Sequence, residues 1–473
     1  MTAPGPPRTH PDAQRSTDDL RARLARFRAA RDAMESQPQR LPIAPRRPAP
    51  GMLATRLARI LDGHVEESEH GFLVRVEPPP RRIAVDRRRL ADLPGGPPPD
   101  APLVCLDTET TGLGTAAGTL AFLVGLGWWE DDDRFHQAQL LIADHADEPA
   151  LLIALAASIP KGSWLVTYNG RTFDWPLLET RYRLRRGAPP PLDGHLDLLP
   201  LARRLFRHRL DDARLRSIET GVLGVQRGRD VEGWRIPGLY LGALRGEDPT
   251  ELAQVVRHND VDVRSLAALL SHLGTSLLDP AGRPSAPAGD LAGLARLFRR
   301  SGRLAEALEL VEAAIGAFDE PDRDPFGRTP TPVPPPDRPW DRPTRPVATW
   351  DLVRLRSEQA RLLRRLGRTD EAADAWHAAA IAAGGSRAAV HAWTEVAKAR
   401  ERGLGDLVGA LEATLRASTL LERMRALGRP EPLVEQRTTE RLARLRRRQA
   451  RSVSRAPRGR ARSDAPATRA SGR

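Results

Sequence analysis

A short apolar run ending in two acids constrains this chain more than any other stretch. Residues 103–113 read Leu-Val-Cys-Leu-Asp-Thr-Glu-Thr-Thr-Gly-Leu, so four apolar side chains lead directly into Asp107 and Glu109. Pro102 and Gly112 bound the run, which favours a buried strand over a helix. Successive strand side chains point to opposite faces, and Asp107 and Glu109 therefore emerge on one face at the strand's end. Two carboxylates this close repel unless a proton or a cation stands between them. Oxygen donors of this kind suit hard divalent cations. A lone Asp-x-Glu pair more often does no more than solvate a strand end, so the weight falls on the rest of the chain.

The 473 residues suggest two or three domains. Hydrophobic residues at 40% and charged residues at 29% supply real cores, while 43 prolines and few aromatics point to long unstructured pieces beside them. Cys105 is the single cysteine, which excludes an internal disulfide and fits a reducing cytoplasm. The first ten residues lack the apolar core of a signal peptide. No apolar run approaches the ~20 residues of a spanning helix. A cytoplasmic protein without a membrane partner is expected. The net charge of +13 is unevenly spread: residues 101–274 hold 19 Lys/Arg against 23 Asp/Glu, whereas residues 430–473 hold 13 Arg against 4 Asp/Glu.

Read in order, residues 1–50 are expected to be disordered around one amphipathic stretch (Leu20, Leu24, Phe27). Residues 51–98 form a lead-in of short elements to which no chemistry is assigned. From 99 to 278 the pattern is α/β. Apolar runs at 103–106, 120–129 and 134–142 with short connections suit antiparallel strands. A helix over 148–157, a strand over 164–168, a helix over 175–186 and a long helix over 250–273 follow. Residues 279–289 read as a Pro/Ala/Gly linker. Beyond it residues 295–303 match 360–368 almost residue for residue, and a weaker copy begins at Gly405, the sign of a stacked helical array. That region, 290–428, resembles tetratricopeptide repeats, and repeats of that kind imply a protein partner. A Pro-rich insertion, 318–346, interrupts it. The basic tail, 429–473, starts as an Arg-rich helix and is expected to end disordered.

Two further acids fall in place behind the first pair. Tyr168-Asn169-Gly170-Arg171-Thr172-Phe173-Asp174 follows the 164–168 strand and runs into Trp175-Pro176, where an acid also serves as a helix cap. On the long helix, Asp262 lies within or beside the inward stripe that includes Leu252, Val255, Val256, Val263, Leu266 and Leu270, with His258 one turn earlier. A buried carboxylate needs a cation or a strong donor.

Asp107-x-Glu109, Asn169-x4-Asp174 and Asp262 resemble the four acids of the DEDD exonucleases of the ribonuclease-H-like superfamily. With Thr119-Leu-Ala-Phe-Leu-Val-Gly125, His195-Leu-Asp197 and His258-Asn-x-x-Asp262 they look closest to its bacterial YprB-type branch, over residues 101–274. The resemblance implies a ribonuclease-H-like mixed sheet flanked by helices. It also implies hydrolysis of DNA or RNA phosphodiesters from a 3′ end, with Asp107, Glu109, Asp174 and Asp262 holding two Mg²⁺ or Mn²⁺ ions. Related branches place a Tyr four residues, or a His five residues, before the last acid. Here His258 stands four before Asp262, as a candidate water activator. Asn169, Arg171 and Asp197 are candidate substrate contacts or auxiliary ligands. Arg204 and Arg207, with other arginines of 181–186 and 203–216, are candidate grips on a phosphate backbone. The competing expectations are a non-catalytic nucleic-acid-binding adaptor and a structure-selective endonuclease.

Overall fold

The run that opens the sequence argument is a strand, β4 below, and it lies inside the sheet. The computed structural model describes residues 51–112, 118–228, 230–318 and 347–455. The expected disorder of 1–50 and of the end of the tail, and nearly all of the Pro-rich insertion, lie outside the described residues.

The strands in chain order are β1 (His64–Ser68), β2 (Gly71–Val76), β3 (Arg81–Arg82), β4 (Leu103–Thr110), β5 (Ala121–Trp129), β6 (Arg134–Leu141), β7 (Trp164–Thr167) and β8 (Gly194–Asp197). The helices are α1 (Met52–Leu61), α2 (Arg87–Ala91), α3 (Glu148–Ser158), α4 (Asp174–Leu184), α5 (Leu198–Phe206), α6 (Leu215–Ile218), α7 (Ile236–Leu244) and α8 (Leu252–His272). The C-terminal set is α9 (Ala288–Arg300), α10 (Leu304–Gly316), α11 (Val347–Arg365), α12 (Thr369–Ala383), α13 (Arg387–Lys398), α14 (Leu407–Ala426) and α15 (Pro432–Arg455).

All eight strands form one sheet, ordered β1-β2-β6-β5-β4-β7-β8, with β3 also pairing β6. β4, β5 and β6 are antiparallel neighbours. β7 joins β4 in parallel and β8 joins β7 in parallel. Each parallel step needs a crossover, and α3 and α4 supply them. The lead-in segment joins the same sheet, because β2 pairs β6 through Val74–Leu141 to Val76–Gln139.

The alternation of β4 divides the core. Leu103 and Cys105 pack with α5, the later turns of α8 and the C-terminal helices, whereas Val104 and Leu106 pack with α1, α3 and α7. Cys105 is a fully buried core residue, and burial pushes its thiol pKa well up. Asp107 and Glu109 continue the Leu103–Cys105 face, the face that α8 covers. The fold is thus a ribonuclease-H-like mixed sheet flanked by helices, followed by an all-α region.

In that region the repeated sequence motif ends α9 and α11 alike. Gly302 (φ +84°) and Gly367 (φ +80°) reverse the chain into α10 and α12 from the left-handed conformation, which costs glycine nothing. This hinge supports a likeness to tetratricopeptide repeats, which is a proposal. Residues 279–289 are packed, with Ala286 and Ala288 buried and Arg283 3.4 Å from Glu309.

Candidate active site

The parallel strands β4, β7 and β8 end at the same edge of the sheet, and the candidate acids collect there. Asp107 and Glu109 come from the end of β4 and Asp174 from the first turn of α4; Asp262 comes from the middle of α8. Each has its own local support. Asn259, one turn before Val263 on α8 and fully buried, donates through Nδ2 to Asp107 Oδ2 (2.9 Å) and to the Asp107 carbonyl (3.2 Å). Gln139 of β6 fixes Asn259 by donating to its Oδ1 at 3.0 Å. The space for Asn259 comes from Gly125, which faces Asp107 in the β4–β5 register. A Cβ on Gly125 would stand 2.2 Å from Asn259 Oδ1.

Asp174 is the first residue of α4, one position past the cap at Phe173, so it does not serve as the helix cap. Thr108 Oγ1 donates to its carboxylate at 2.5 Å. Asp262 accepts from Arg227, a 6%-exposed guanidinium that also reaches Glu219 (2.6 and 2.5 Å) and Asp230 (3.2 Å). Glu219 is fully buried and accepts in addition from Ser265 Oγ at 2.5 Å. His258 Nδ1 lies 2.7 Å from Asp230 Oδ1, with an Arg227 nitrogen at 3.2 Å. The shorter contact makes Asp230 the acceptor of the Nδ1 proton. Nε2 then faces the acids, 3.6 Å from Asp262 Oδ2 and 3.9 Å from Glu109 Oε1.

The electrostatics follow from this convergence. Burial, then the charges of Asp262, Asp174 and Glu109, hold the Asp107 carboxyl well above the usual range, against the Asn259 hydrogen bond. Burial, then Asp262, Asp174 and Asp230, do the same to Glu109. Burial also raises Asp174 and Asp262, opposed by Thr108 in one case and by His258 and Arg227 in the other. Asp230 goes down: burial alone would raise it, but His258 and Arg227 outweigh that. Among the described residues no group of three or more His, Cys, Asp or Glu side chains is placed to hold a metal ion as the side chains stand. The donor set is nonetheless what a hard divalent ion takes: carboxylate oxygens from three elements, repelling one another across a shared space.

The remaining candidates lie at varying distance from the acids. Asp197 caps α5 through Leu199 N (3.0 Å) and accepts from the backbone amides of Asn169 (2.7 Å) and Arg171 (3.3 Å). Asn169 takes φ +72°, a conformation Asn tolerates, and so turns the chain toward Asp174. Arg171 donates to the His195 carbonyl. His195 Nε2 is 2.8 Å from Thr167 Oγ1, and burial, then Arg171, bring its pKa down to about 4. Of the other arginines, Arg181 and Arg185 are committed to the buried Glu148. Arg204 and Arg207 stand on the exposed face of α5, in a separate cleft against α9. Sequence reasoning did not single out Thr108, Glu219, Arg227, Asp230 or Asn259.

Residues 104–274 match the family model of the RNase_H superfamily. The uncharacterized protein YprB of Bacillus subtilis (strain 168) is 36% identical over 223 residues, which is 46% of this chain and 53% of YprB. The match thus spans about half the length of that relative. Among solved structures, BtubC from P. vanneervenii aligns over 49% of this chain and 90% of its own with 16% identity. Its TM-score of 0.25 is too low to bear on fold or function. Sheet order and family match agree, and residues 104–274 are a ribonuclease-H-like domain of the YprB type.

Proposed function

We propose that this domain is a metal-dependent nuclease, a 3′–5′ exonuclease that hydrolyses nucleic-acid phosphodiesters. The observation that carries the reading is the meeting of Asp107, Glu109, Asp174 and Asp262 at one sheet edge, where burial, and then their mutual repulsion, drive Asp107 and Glu109 well up. These four would hold two Mg²⁺ or Mn²⁺ ions, which supply Lewis-acid activation of water and neutralise phosphodiester charge when bound.

The chain's own groups do the rest. Asn259 and Thr108 aim Asp107 and Asp174, and Arg227 holds Asp262. His258 Nε2 takes a proton from the attacking water while Asp230 stabilises the imidazolium that results. Water adds at phosphorus, the 3′ oxygen departs, and that oxygen is protonated by solvent.

The test is hydrolysis of end-labelled single- and double-stranded DNA and RNA with Mg²⁺ or Mn²⁺. Stepwise release of mononucleotides from the 3′ end is expected, abolished in Asp107→Ala and Asp262→Ala proteins that keep the wild-type fold. Wild-type rates in either variant would sink the site. Internal cuts would replace the exonuclease with the endonuclease, and binding without cleavage would leave the adaptor.

A further inference from the structure

Gly289 and Gly293 lie one turn apart on α9; α5 comes against Gly293, and His208, just past the end of α5, against Gly289. A Cβ on Gly293 would stand 2.8 Å from Leu205 Cα and 2.9 Å from the Arg204 carbonyl; on Gly289 it would stand 2.2 Å from the His208 ring. At Gly293 the two helices therefore meet almost backbone to backbone. Asp290, fully buried, locks the junction by accepting from Arg209 at 3.2 and 2.6 Å, with His208 Nε2 at 3.3 Å.

This docking sets two rows of arginines side by side. Arg203, Arg204 and Arg207 come from α5, Arg296 and Arg300 from α9, and together they line a cleft of about 340 Å³ whose walls carry no acidic side chain. Among the described residues, Arg203, Arg204, Arg207 and Arg300 have no ion pair with a carboxylate, whereas Arg299, the residue before Arg300, has Glu358 at 2.9 Å. Burial holds the Arg296 guanidinium below its usual range; Glu358, the largest charge acting on it, opposes this, and Arg207, Arg299 and Arg300 add to it. Arginines along one exposed helix are an ordinary solvated face. Here a second helix is brought in at closest approach and adds only more cations. Such an arrangement is repulsive until a polyanion fills it.

We infer that the α5–α9 cleft binds the sugar–phosphate backbone of a single nucleic-acid strand, outside the acid cluster. Helices in contact are about 8–10 Å apart, so the trough between them suits one backbone. Its position suits the same strand that enters the acids. Asp197, which starts α5, also holds the turn before Asp174, and Arg203 to Arg207 lie about 9–15 Å further along the helix axis. The identity of the polyanion rests on the nuclease reading; the cationic cleft does not.

The experiment measures anisotropy of a labelled single-stranded oligonucleotide with the full chain in EDTA, over a salt series. Counterion release from a single strand gives a log–log slope of about −0.7 per phosphate contact. The Arg204→Gln/Arg207→Gln/Arg300→Gln protein is expected to lose about 2 from that slope, for every oligonucleotide sequence, with an unchanged melting curve. Arg207→Gln and Arg300→Gln alone, on different helices, each lose about 0.7 and serve where the triple variant misfolds. Lysine at the same three positions keeps the slope. Glutamine at the exposed Arg59, Arg88 and Arg423 leaves it unchanged, which separates the cleft from net charge. A wild-type slope in the cleft variant, or an equal loss in the control, overturns the inference. A wild-type protein that binds with this slope but never hydrolyses would keep the cleft and sink the nuclease. One that hydrolyses while the cleft variant keeps its slope would sink only the cleft.

Discussion

His258 is held at one nitrogen and presented at the other, and that asymmetry gives it a sharper role than its position on the helix does. Asp230 at 2.7 Å fixes Nδ1, so Nε2 points at Glu109 and Asp262. Loss of a positioned general base costs about 10²–10⁴ in rate. His258→Ala is expected to fall in that range in a single-turnover assay. Asp230→Asn should fall part of the way while keeping substrate affinity, because an amide can hold the ring in the other tautomer. A loss below tenfold in His258→Ala would reduce the ring to packing. The acids give a prediction that needs no substrate. Asp107 and Glu109 titrate higher in the fold than in the unfolded chain. The unfolded chain therefore gives up these protons first as pH rises, and metal-free stability falls from about pH 4 upward through the raised values. In EDTA, Asp107→Asn should flatten that fall and melt above wild type at neutral pH; a lower melting temperature there would contradict the repulsion. That the four acids and His258 belong together was expected from the motifs that resemble the DEDD exonucleases, and the fold brings those five residues to one sheet edge. Arg227 and Asp230 were not legible in the sequence, since the stretch after Gly224 has no period and only the folded chain brings it to α8.

The element that makes the site is the contact of α8 with β4 and β5, and it depends on absent side chains. Gly125 faces Asp107, and Gly127 sits where a Cβ would be 2.3 Å from Phe135 and 2.7 Å from Val263. Gly125→Ala forces Asn259 and Val263 away from the sheet. Overpacking of this kind costs about 1–3 kcal/mol. A lower melting temperature should accompany a loss of nuclease rate, and the bulkier Gly125→Thr should deepen both. An unchanged rate would mean that Asn259 does not aim Asp107. The β4–β5–β6 order, β7 and α8 were readable from apolar runs and their spacing. The addition of β1, β2 and β3 was not, because pairing between β2 and β6 links residues about 65 positions apart, and no local pattern encodes such a partner. Gly125 itself lay in the quoted motif, but a motif does not say what a missing Cβ leaves room for.

At the scale of the whole molecule the basic tail divides into two parts with different work. The Arg-rich helix α15 is docked: Leu445 is fully buried, and Arg441, Arg444 and Arg448 place nitrogens 3.0, 2.7 and 2.8 Å from Glu401, itself 3% exposed in its side chain. These arginines outweigh the burial that would otherwise raise Glu401 and hold its carboxyl below the usual range. A lowered acid contributes stability that is complete above the ordinary carboxylate range and lost as pH falls through the lowered value. Glu401→Gln should therefore lower stability at neutral pH by about 1–3 kcal/mol, with the difference from wild type closing in acid. A chain ended near Gly428 should melt lower than one ended after Arg455, since only the first loses the docked helix. Beyond Arg455 the sequence adds five Arg and one Asp, whose structure lies outside the described residues. Like the exposed Arg446 and Arg447 of α15, those arginines offer cations that can bind phosphates without reading bases. Ending the chain after Arg455 should then weaken oligonucleotide binding and reduce its salt slope by up to about 3, equally for all sequences, while the rate at saturating substrate stays as in the full chain. Superimposable slopes for the two chains would mean that the residues after Arg455 make no phosphate contact.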